Sequence, residues 1–266
     1  MNIKIIFVGF VITLLFSCKK NDVGPAAAEP KDEVLLNSVH VCGTDIHQFS
    51  KRGISKLGVG EAANFWPKSS SGPKVLQVKF LSGGSSYVRA KIKEYAKKWE
   101  QYANVRFDFV GSNRPAEIRI TINDSGDSWS YVGKLNLNID AKEETMHYGW
   151  FDDSTSDEEF FRVIVHEFGH ALGLEHEQDH PFISIKWNKP YIYDYYKRGG
   201  WSKEDVDRNV FYKLPAAGSS YSEYDPASIM HYPIPDEFTL DGHGVGWNTK
   251  LSAIDKKFIQ KMYPFI

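Results

Sequence analysis

The sequence predicts an α+β fold in which a sheet packs with two long helices. Short segments with alternating apolar residues mark the strands, and two segments with apolar residues at three- and four-residue spacing mark the helices. The chain has 266 residues, of which 42% are hydrophobic, so it can bury one sizeable core. We therefore expect one large globular domain, preceded by short segments that have no core of their own.

The chain begins with a targeting segment. Lys4 supplies a positive charge, and the apolar run over residues 5–16 is too short to span a bilayer well. The run ends in Leu-Phe-Ser-Cys, which resembles the lipobox of bacterial lipoprotein precursors. We therefore predict that residues 1–18 are a signal peptide, that Cys18 becomes the lipid-modified N-terminus and that the protein is exported. An ordinary signal peptide cut near Ser17 is the alternative.

The next segment is a tether. Residues 19–33 are polar, rich in Pro and Ala and without periodicity, which is typical of a flexible linker. Residues 34 to about 55 are too few for a core of their own. We predict that residues 19–55 form a tether and a pro-segment, and that residues 56–266 form the main domain.

Composition excludes several classes of protein. The formal net charge is −2, so no overall basic field points to nucleic acid or to an anionic membrane surface. The chain has two cysteines, Cys18 and Cys42, which excludes a disulfide-rich scaffold and a cysteine-based zinc finger. We expect no nucleic-acid partner, and contact with a membrane only through a lipid on Cys18.

The first half of the main domain predicts four strands and one helix. KVLQVKF (74–80), VRFDFV (105–110) and AEIRITI (116–122) have strand-like apolar patterns, and KLNLNI (134–139) is a further candidate. Between the first two, apolar residues from Val88 to Ala103 predict a helix over about 85–103.

The second helix contains HEFGHALGLEH, residues 166–176. Ser156 and Glu159 predict a capping box at its start. His166 and His170 are four residues apart and leave the same face of the helix. Gly173 can adopt a positive φ, end the helix and let the chain return His176 toward the other two. Three neutral imidazoles leave a fourth position for water, which is the ligand set of a catalytic zinc ion.

Glu167 is the expected general base beside that zinc ion. A carboxylate there can take a proton from the attacking water and deliver it to a leaving amine. The histidine motif of residues 166–176, followed by a turn that contains a methionine, is the signature of the metzincins. SIMHYP, residues 228–233, supplies the methionine. With Glu177 after the third histidine, and Met230 and Tyr232 in the turn, the chain resembles the astacin family of metzincins.

This resemblance implies a metzincin-type, two-lobed α+β protease domain with a mixed sheet, an active-site helix and a Met-turn. The lobe after Gly173 would be irregular. Met230 would lie under the zinc site, and Tyr232 would be a catalytic residue and a switchable fifth ligand. We also expect AEIRITI to be the edge strand that pairs with an extended substrate. His180 and Phe182 stand where the family has charged residues, and the paired cysteines common in the family are missing.

We therefore predict an exported zinc endopeptidase with one catalytic zinc ion, acting on proteins or peptides as a monomer. It would be a lipoprotein of the cell envelope or be released after processing. The alternative is an exported zinc-binding or adhesion module that has lost catalysis. The presence of Glu167 argues against that alternative, because a silent site does not need the base.

Cys42 is predicted to keep the precursor latent. A thiolate is a good zinc ligand and would displace the catalytic water, and Cys42-Gly43 followed by Asp45 resembles the cysteine switch of matrix metalloproteases. Astacin precursors more often use an aspartate, so Asp45 is the rival ligand, and a buried inert cysteine is the third possibility. Cleavage near Lys51-Arg52 would release the enzyme, and the resemblance places the new N-terminus near Glu177.

Overall fold

The computed structural model describes residues 63–266. Cys18, Cys42, Asp45 and the Lys51-Arg52 pair lie outside these residues. The lipobox, the tether, the pro-segment and the latency ligand therefore stay predictions.

A five-stranded mixed sheet forms the first half of the described chain. Its strands are β1 (Lys74–Ser82), β2 (Val105–Phe109), β3 (Ile118–Ile122), β4 (Trp129–Ser130) and β5 (Met146–Tyr148), in the order β2-β1-β3-β5-β4. Every neighbouring pair is parallel except β4 and β5. Together with the helices below, this sheet confirms the predicted α+β class.

The prediction that AEIRITI is an edge strand is wrong. This segment forms β3, which pairs with β1 through Ile118 and Val78 and with β5 through Ile120 and Met146. Alternation along a strand tells which residues share a face but does not fix the position of the strand in the sheet. The edge strand beyond β5 is β4, which has β5 as its only neighbour in the strand order.

The predicted strand over KLNLNI is also wrong, because residues Gly133–Asn138 form a 3₁₀ helix. The Asn136 side chain is buried and donates hydrogen bonds to the carbonyl oxygens of Tyr131 at 3.1 Å and Gly133 at 2.7 Å. Gly133 has a φ of +46°, and a Cβ there would lie 1.9 Å from the Asn64 carbonyl oxygen. Short polar side chains such as that of Asn136 can bind nearby backbone groups, and these hydrogen bonds compete with those of a strand.

Two helices of the first half pack against each other. Helix α1 (Ser86–Ala96) is shorter than predicted, because the chain continues from Trp99 to Gln101 as a 3₁₀ turn. Helix α2 (Asp157–Ala171) begins at the predicted position, but only half of the predicted capping box forms: the Ser156 hydroxyl accepts from the backbone N–H of Glu159 at 3.2 Å, and the Glu159 side chain does not return to Ser156. The Glu159 carboxylate binds Arg162. α2 contributes the longest run of buried residues, from Val163 to Ala171.

The part of the chain after Gly173 is more regular than predicted. It contains α3 (Lys189–Arg198), α4 (Lys203–Asn209) and α5 (Ala253–Met262). The last of these ends just before the Tyr-Pro pair at residues 263 and 264. Aromatic and aliphatic residues build a second hydrophobic cluster here, around Ile192, Tyr195 and Phe238. The main cluster joins the sheet, α1, α2 and α5. Across residues 63–266, no helix has both the length and the apolar character needed to cross a membrane.

Candidate metal centre

Three imidazoles converge at the C-terminal end of α2. The Nε2 atom of His170 lies 3.1 Å from the Nε2 atoms of both His166 and His176. In the described part of the chain these residues form the one cluster of three His, Cys, Asp or Glu side chains with ligand atoms close enough to hold a metal ion. The structure therefore brings together the three residues that the sequence predicted as ligands.

The local fold fixes the orientation of the first two rings. The ring nitrogen Nδ1 of His166 lies 2.8 Å from the carbonyl oxygen of Ile229, and Nδ1 of His170 lies 2.8 Å from that of Leu174. A carbonyl oxygen can only accept, so Nδ1 carries the proton in each ring and Nε2 presents its lone pair. Gly173, with a φ of +101°, ends the helix and turns the chain toward His176.

The three rings are neutral near pH 7. Burial lowers the pKa of His170 to about 4. Burial, and then the proximity of the other histidines, lowers the pKa values of His166 and His176 well below the usual value. Neutral imidazoles with converging lone pairs are the donors that a zinc ion requires. The chemistry of the donor set therefore fits one zinc ion.

Glu167 lies in α2 between His166 and His170, and it is completely buried. Together with His166 and Tyr232 it lines a cavity that opens to solvent beside the metal centre. The cavity wall includes residues of α2, of the turn that contains Met230 and of the segment before α5. The further lining residues are Trp150, Arg162, Val163, Ile229, His231, Pro233, Trp247 and Asn248.

Met230 packs under the helix that carries the histidines. A Cβ added at Gly169 would lie 2.5 Å from the Met230 Sδ atom and 3.2 Å from Trp99 Cζ2, so the glycine leaves room for the thioether. Trp99 also donates its indole N–H to the carbonyl oxygen of Val165 at 2.8 Å. Met230 and Trp99 thus both pack against the helix at Gly169.

Asp255 holds the Met-turn, and the sequence analysis did not identify it. One carboxylate oxygen accepts from the Ser228 hydroxyl at 2.7 Å, and the other accepts from the backbone N–H of Ile229 at 2.9 Å. The same side chain completes a capping box with Ser252 at the start of α5. Burial raises its pKa. The Ser-x-x-Asp pattern of the cap was readable in the sequence, but the long-range bonds to the turn were not.

Tyr232 lies against the third histidine. Its ring centroid is 4.0 Å from that of His176 and 5.9 Å from that of His166. The Gln178 side chain accepts from the backbone N–H of Tyr232 at 3.1 Å, so the segment after His176 fixes the tyrosine backbone. Gln178 is a second residue that sequence reasoning missed.

Two acidic residues, Glu177 and Asp179, follow His176 closely in the chain. Burial raises the pKa of Glu177 to about 8, and a Glu177 carboxylate oxygen accepts from the backbone N–H of Asp225 at 2.8 Å. Burial also raises the pKa of Asp179 to about 8, and its carboxylate lies 4.0 Å from the Nδ1 atom of His176. The backbone of Glu177 is tied to the Met-turn by a bond to the Met230 carbonyl oxygen at 3.1 Å.

The other histidines of residues 63–266 are not part of the metal cluster. His147 is buried with its Nε2 atom 2.9 Å from the Ser125 hydroxyl and its ring stacked on Trp129. His231 is buried and bonds to Tyr224 at 2.9 Å. At the two positions where the chain departs from the family pattern, His180 is buried and Phe182 is 65% exposed.

Comparisons with known proteins agree with this geometry. The family model described as "Astacin", a family of peptidases, matches residues 64–264. The protein SpAN of Strongylocentrotus purpuratus is 28% identical over 197 residues, which cover 68% of this chain and 29% of that protein. The zinc metalloproteinase dpy-31 of Caenorhabditis elegans is 25% identical, over 71% of this chain and 36% of that protein. This chain thus spans about a third of the length of such relatives.

Solved structures show the same fold. A structure of myroilysin superposes with a TM-score of 0.73 at 45% sequence identity and covers 79% of this chain and all of that chain. The hatching enzyme HCE-1 of Oryzias latipes is 20% identical with a TM-score of 0.51, over 79% of this chain and 98% of that one, and supports the fold alone. These likenesses confirm the predicted metzincin-type α+β fold.

Proposed function

The chain belongs to the astacin family of peptidases, and on that premise we propose that it is a zinc-dependent endopeptidase that hydrolyses peptide bonds in proteins. One observation carries the proposal. Three neutral imidazoles converge, with the Nε2 atom of His170 3.1 Å from those of the other two, beside the buried Glu167 at the wall of an open cavity. A site built only for structural zinc would be closed by a fourth protein ligand.

His166, His170 and His176 would hold the zinc ion. When bound, zinc supplies Lewis-acid activation of water and of the substrate carbonyl group. The protein's contribution is to present the three rings already oriented. The carbonyl oxygens of Ile229 and Leu174 fix two of them, as outer-shell partners do in other zinc sites.

Glu167 is the general base in this proposal. It follows His166 on α2 and lines the same cavity, so its carboxylate can take a proton from the attacking water and return it to the leaving amine. Tyr232 also lines the cavity, and its phenol can donate a hydrogen bond to the oxygen on which negative charge develops. The packing of Tyr232 against His176 supports its second proposed role, as the switchable fifth ligand.

The proposal extends to the residues outside the described range. Residues 1–18 would direct export, with lipid attached at Cys18, and residues 19–55 would keep the monomeric precursor latent through Cys42 or Asp45. Comparing Cys42→Ser and Asp45→Asn precursors for spontaneous casein cleavage separates these two ligands. If Cys42→Ser stays latent while Asp45→Asn becomes active, the aspartate holds the zinc site closed and the cysteine does not.

Glu167→Ala tests the catalytic function itself. We expect this variant to bind one zinc ion per chain, as the unsubstituted protein does, and to lose casein cleavage. His147→Gln, which changes a buried histidine outside the cluster, is the matched control and should keep both properties. Equally fast cleavage by a zinc-loaded Glu167→Ala protein would contradict the assignment of Glu167. Absence of cleavage by the unsubstituted, processed, zinc-loaded protein would favour the silent zinc-binding module.

A further inference from the structure

The backbone of Tyr232 is held by hydrogen bonds on both sides of its Cα atom. Its N–H group donates to the Gln178 side chain at 3.1 Å. Its carbonyl oxygen lies 2.6 Å from the ring nitrogen Nδ1 of His231, the residue before it. These two groups belong to the two planar peptide units that flank the Cα atom. Holding both units fixes the direction of the bond from Cα to the tyrosine side chain.

The contact between His231 and Tyr232 shows which nitrogen of the imidazole carries the proton. A carbonyl oxygen can only accept, so Nδ1 of His231 carries the proton and donates to Tyr232. Burial lowers the pKa of His231, so the ring is neutral near pH 7 and Nε2 presents its lone pair. The Tyr224 hydroxyl lies 2.9 Å from Nε2 and therefore donates to it. Tyr224 thus donates to His231, and His231 donates to Tyr232.

Tyr224 is a fixed starting point for these hydrogen bonds. Burial raises the pKa of its phenol to about 12, so the hydroxyl keeps its proton and can donate. The next residue, Asp225, is buried and donates its backbone N–H to the Glu177 carboxylate at 2.8 Å. Glu177 and Gln178 directly follow His176 in the chain. Tyr224 and Tyr232 are therefore both tied to the segment after the third histidine of the cluster.

We propose that Tyr224 and His231 are positioning residues, which fix the backbone of Tyr232 so that its phenol changes place by side-chain rotation alone. This inference rests on the proposed endopeptidase function and on the part that the Tyr232 phenol plays in it. The Tyr232 ring lies 4.0 Å from that of His176 and lines the cavity. A fixed Cα atom brings the phenol to the same point in every turnover, and a donor that is already positioned stabilises developing charge best.

A role in stability alone predicts a different result from a role in positioning. If Tyr224 and His231 only stabilise the Met-turn, their loss should lower kcat by the same factor whether or not residue 232 has a hydroxyl group. If they act through the Tyr232 phenol, their loss should have no effect on kcat once that hydroxyl is gone. Coupling of this kind between two substitutions is what a double-mutant cycle measures.

Tyr224→Phe removes the hydroxyl and keeps the ring. We expect it to lower kcat for a casein peptide by roughly two- to tenfold, as for one neutral hydrogen bond, and to leave KM and zinc content nearly unchanged. In the Tyr232→Phe background the same substitution should leave kcat unchanged. Tyr193→Phe is the matched control, because that hydroxyl donates to Asp207 at 2.5 Å from α3, outside the cavity lining. It should change kcat in neither background.

NMR of the imidazole nitrogens in the zinc-free protein gives a readout that does not depend on activity. In the unsubstituted protein, the proton of His231 should be on Nδ1. The Nε2 resonance should shift in Tyr224→Phe, because the donor to this nitrogen is lost, and should stay in place in Tyr193→Phe. A proton on Nε2 of His231 in the unsubstituted protein overturns the inference.

The kinetic results separate this inference from the proposed function. If the zinc-loaded protein cleaves the peptide but Tyr224→Phe leaves kcat unchanged, or lowers it equally in both backgrounds, the inference alone is overturned. If Tyr224→Phe does not fold, His231→Asn, whose amide can still donate to the Tyr232 carbonyl oxygen, should keep a higher kcat than His231→Leu, and equal values overturn the inference. No cleavage by the zinc-loaded, unsubstituted protein overturns the endopeptidase function, and the inference with it.

Discussion

Gly169→Ala should destabilise the protein through a clash with one named side chain. The added Cβ would lie 2.5 Å from Met230 Sδ, 3.2 Å from Met230 Cε and 3.2 Å from Trp99 Cζ2. Met230 is 2% exposed and Trp99 is completely buried, so neither can move into solvent. Overpacking of this kind costs about 1–3 kcal/mol, and alanine regains up to about 1 kcal/mol over glycine inside a helix. We expect a net loss of up to about 2 kcal/mol in the free energy of unfolding.

A double-mutant cycle with Met230→Ala isolates the clash. Met230→Ala alone should cost about 2–5 kcal/mol by leaving a cavity. In that background Gly169→Ala should become neutral or stabilising, because the space that its Cβ needs is then open. The assay is urea unfolding of the zinc-free protein, followed by tryptophan fluorescence. Gly246→Ala controls for the substitution itself, since a Cβ there meets nothing within 4 Å. If Gly169→Ala costs the same in both backgrounds, Met230 is not the reason for the glycine.

Three further predictions concern the groups around the metal centre. Tyr232→Phe should lower kcat by a factor of roughly 10²–10³ and leave KM and zinc content nearly unchanged. An unchanged kcat in steady-state assays would refute the proposed hydrogen bond from its phenol to the oxygen that becomes negatively charged. Asp255→Asn should lower the free energy of unfolding by about 1–3 kcal/mol, because the carboxylate that serves Ser228, Ile229 and Ser252 is lost; urea midpoints equal to those of the parent would count against this anchor. For Glu177, burial raises the folded-state pKa from 4.5 to about 8, so the unfolded chain releases its proton first as pH rises. As pH rises from 4.5 to about 8, the free energy of unfolding of the zinc-free protein should therefore fall relative to that of Glu177→Gln. A difference in free energy of unfolding that stays constant across this range would contradict the prediction.

The sequence identified the three clustered histidines because the pattern that joins them is local. Two ligands four residues apart on one helix, a glycine that ends that helix and a third histidine shortly after it lie within eleven residues, from His166 to His176. The turn with Met230 could be recognised although it is distant in the chain, because its own short pattern marks it. No comparable local pattern marks the arrangement of the sheet.

The errors come from contacts that join distant segments. The alternating residues of β3 identify a strand, but pairing with β1 and β5 decides that it lies inside the sheet. Residues 134–139 alternate like a strand, yet the buried Asn136 and the approach of Asn64 to Gly133 favour a 3₁₀ helix. Asp255 and Gln178 act through bonds to the Met-turn, which no spacing in the sequence reveals.

Stepwise addition of zinc to the metal-free, processed protein tests the central claim most directly. If His166, His170 and His176 hold one catalytic ion, casein cleavage should be absent without zinc, rise in proportion to bound zinc and level off at one ion per chain. His170→Gln should lose both high-affinity binding and cleavage. Cleavage by the metal-free protein, or full cleavage by zinc-treated His170→Gln, would contradict the account.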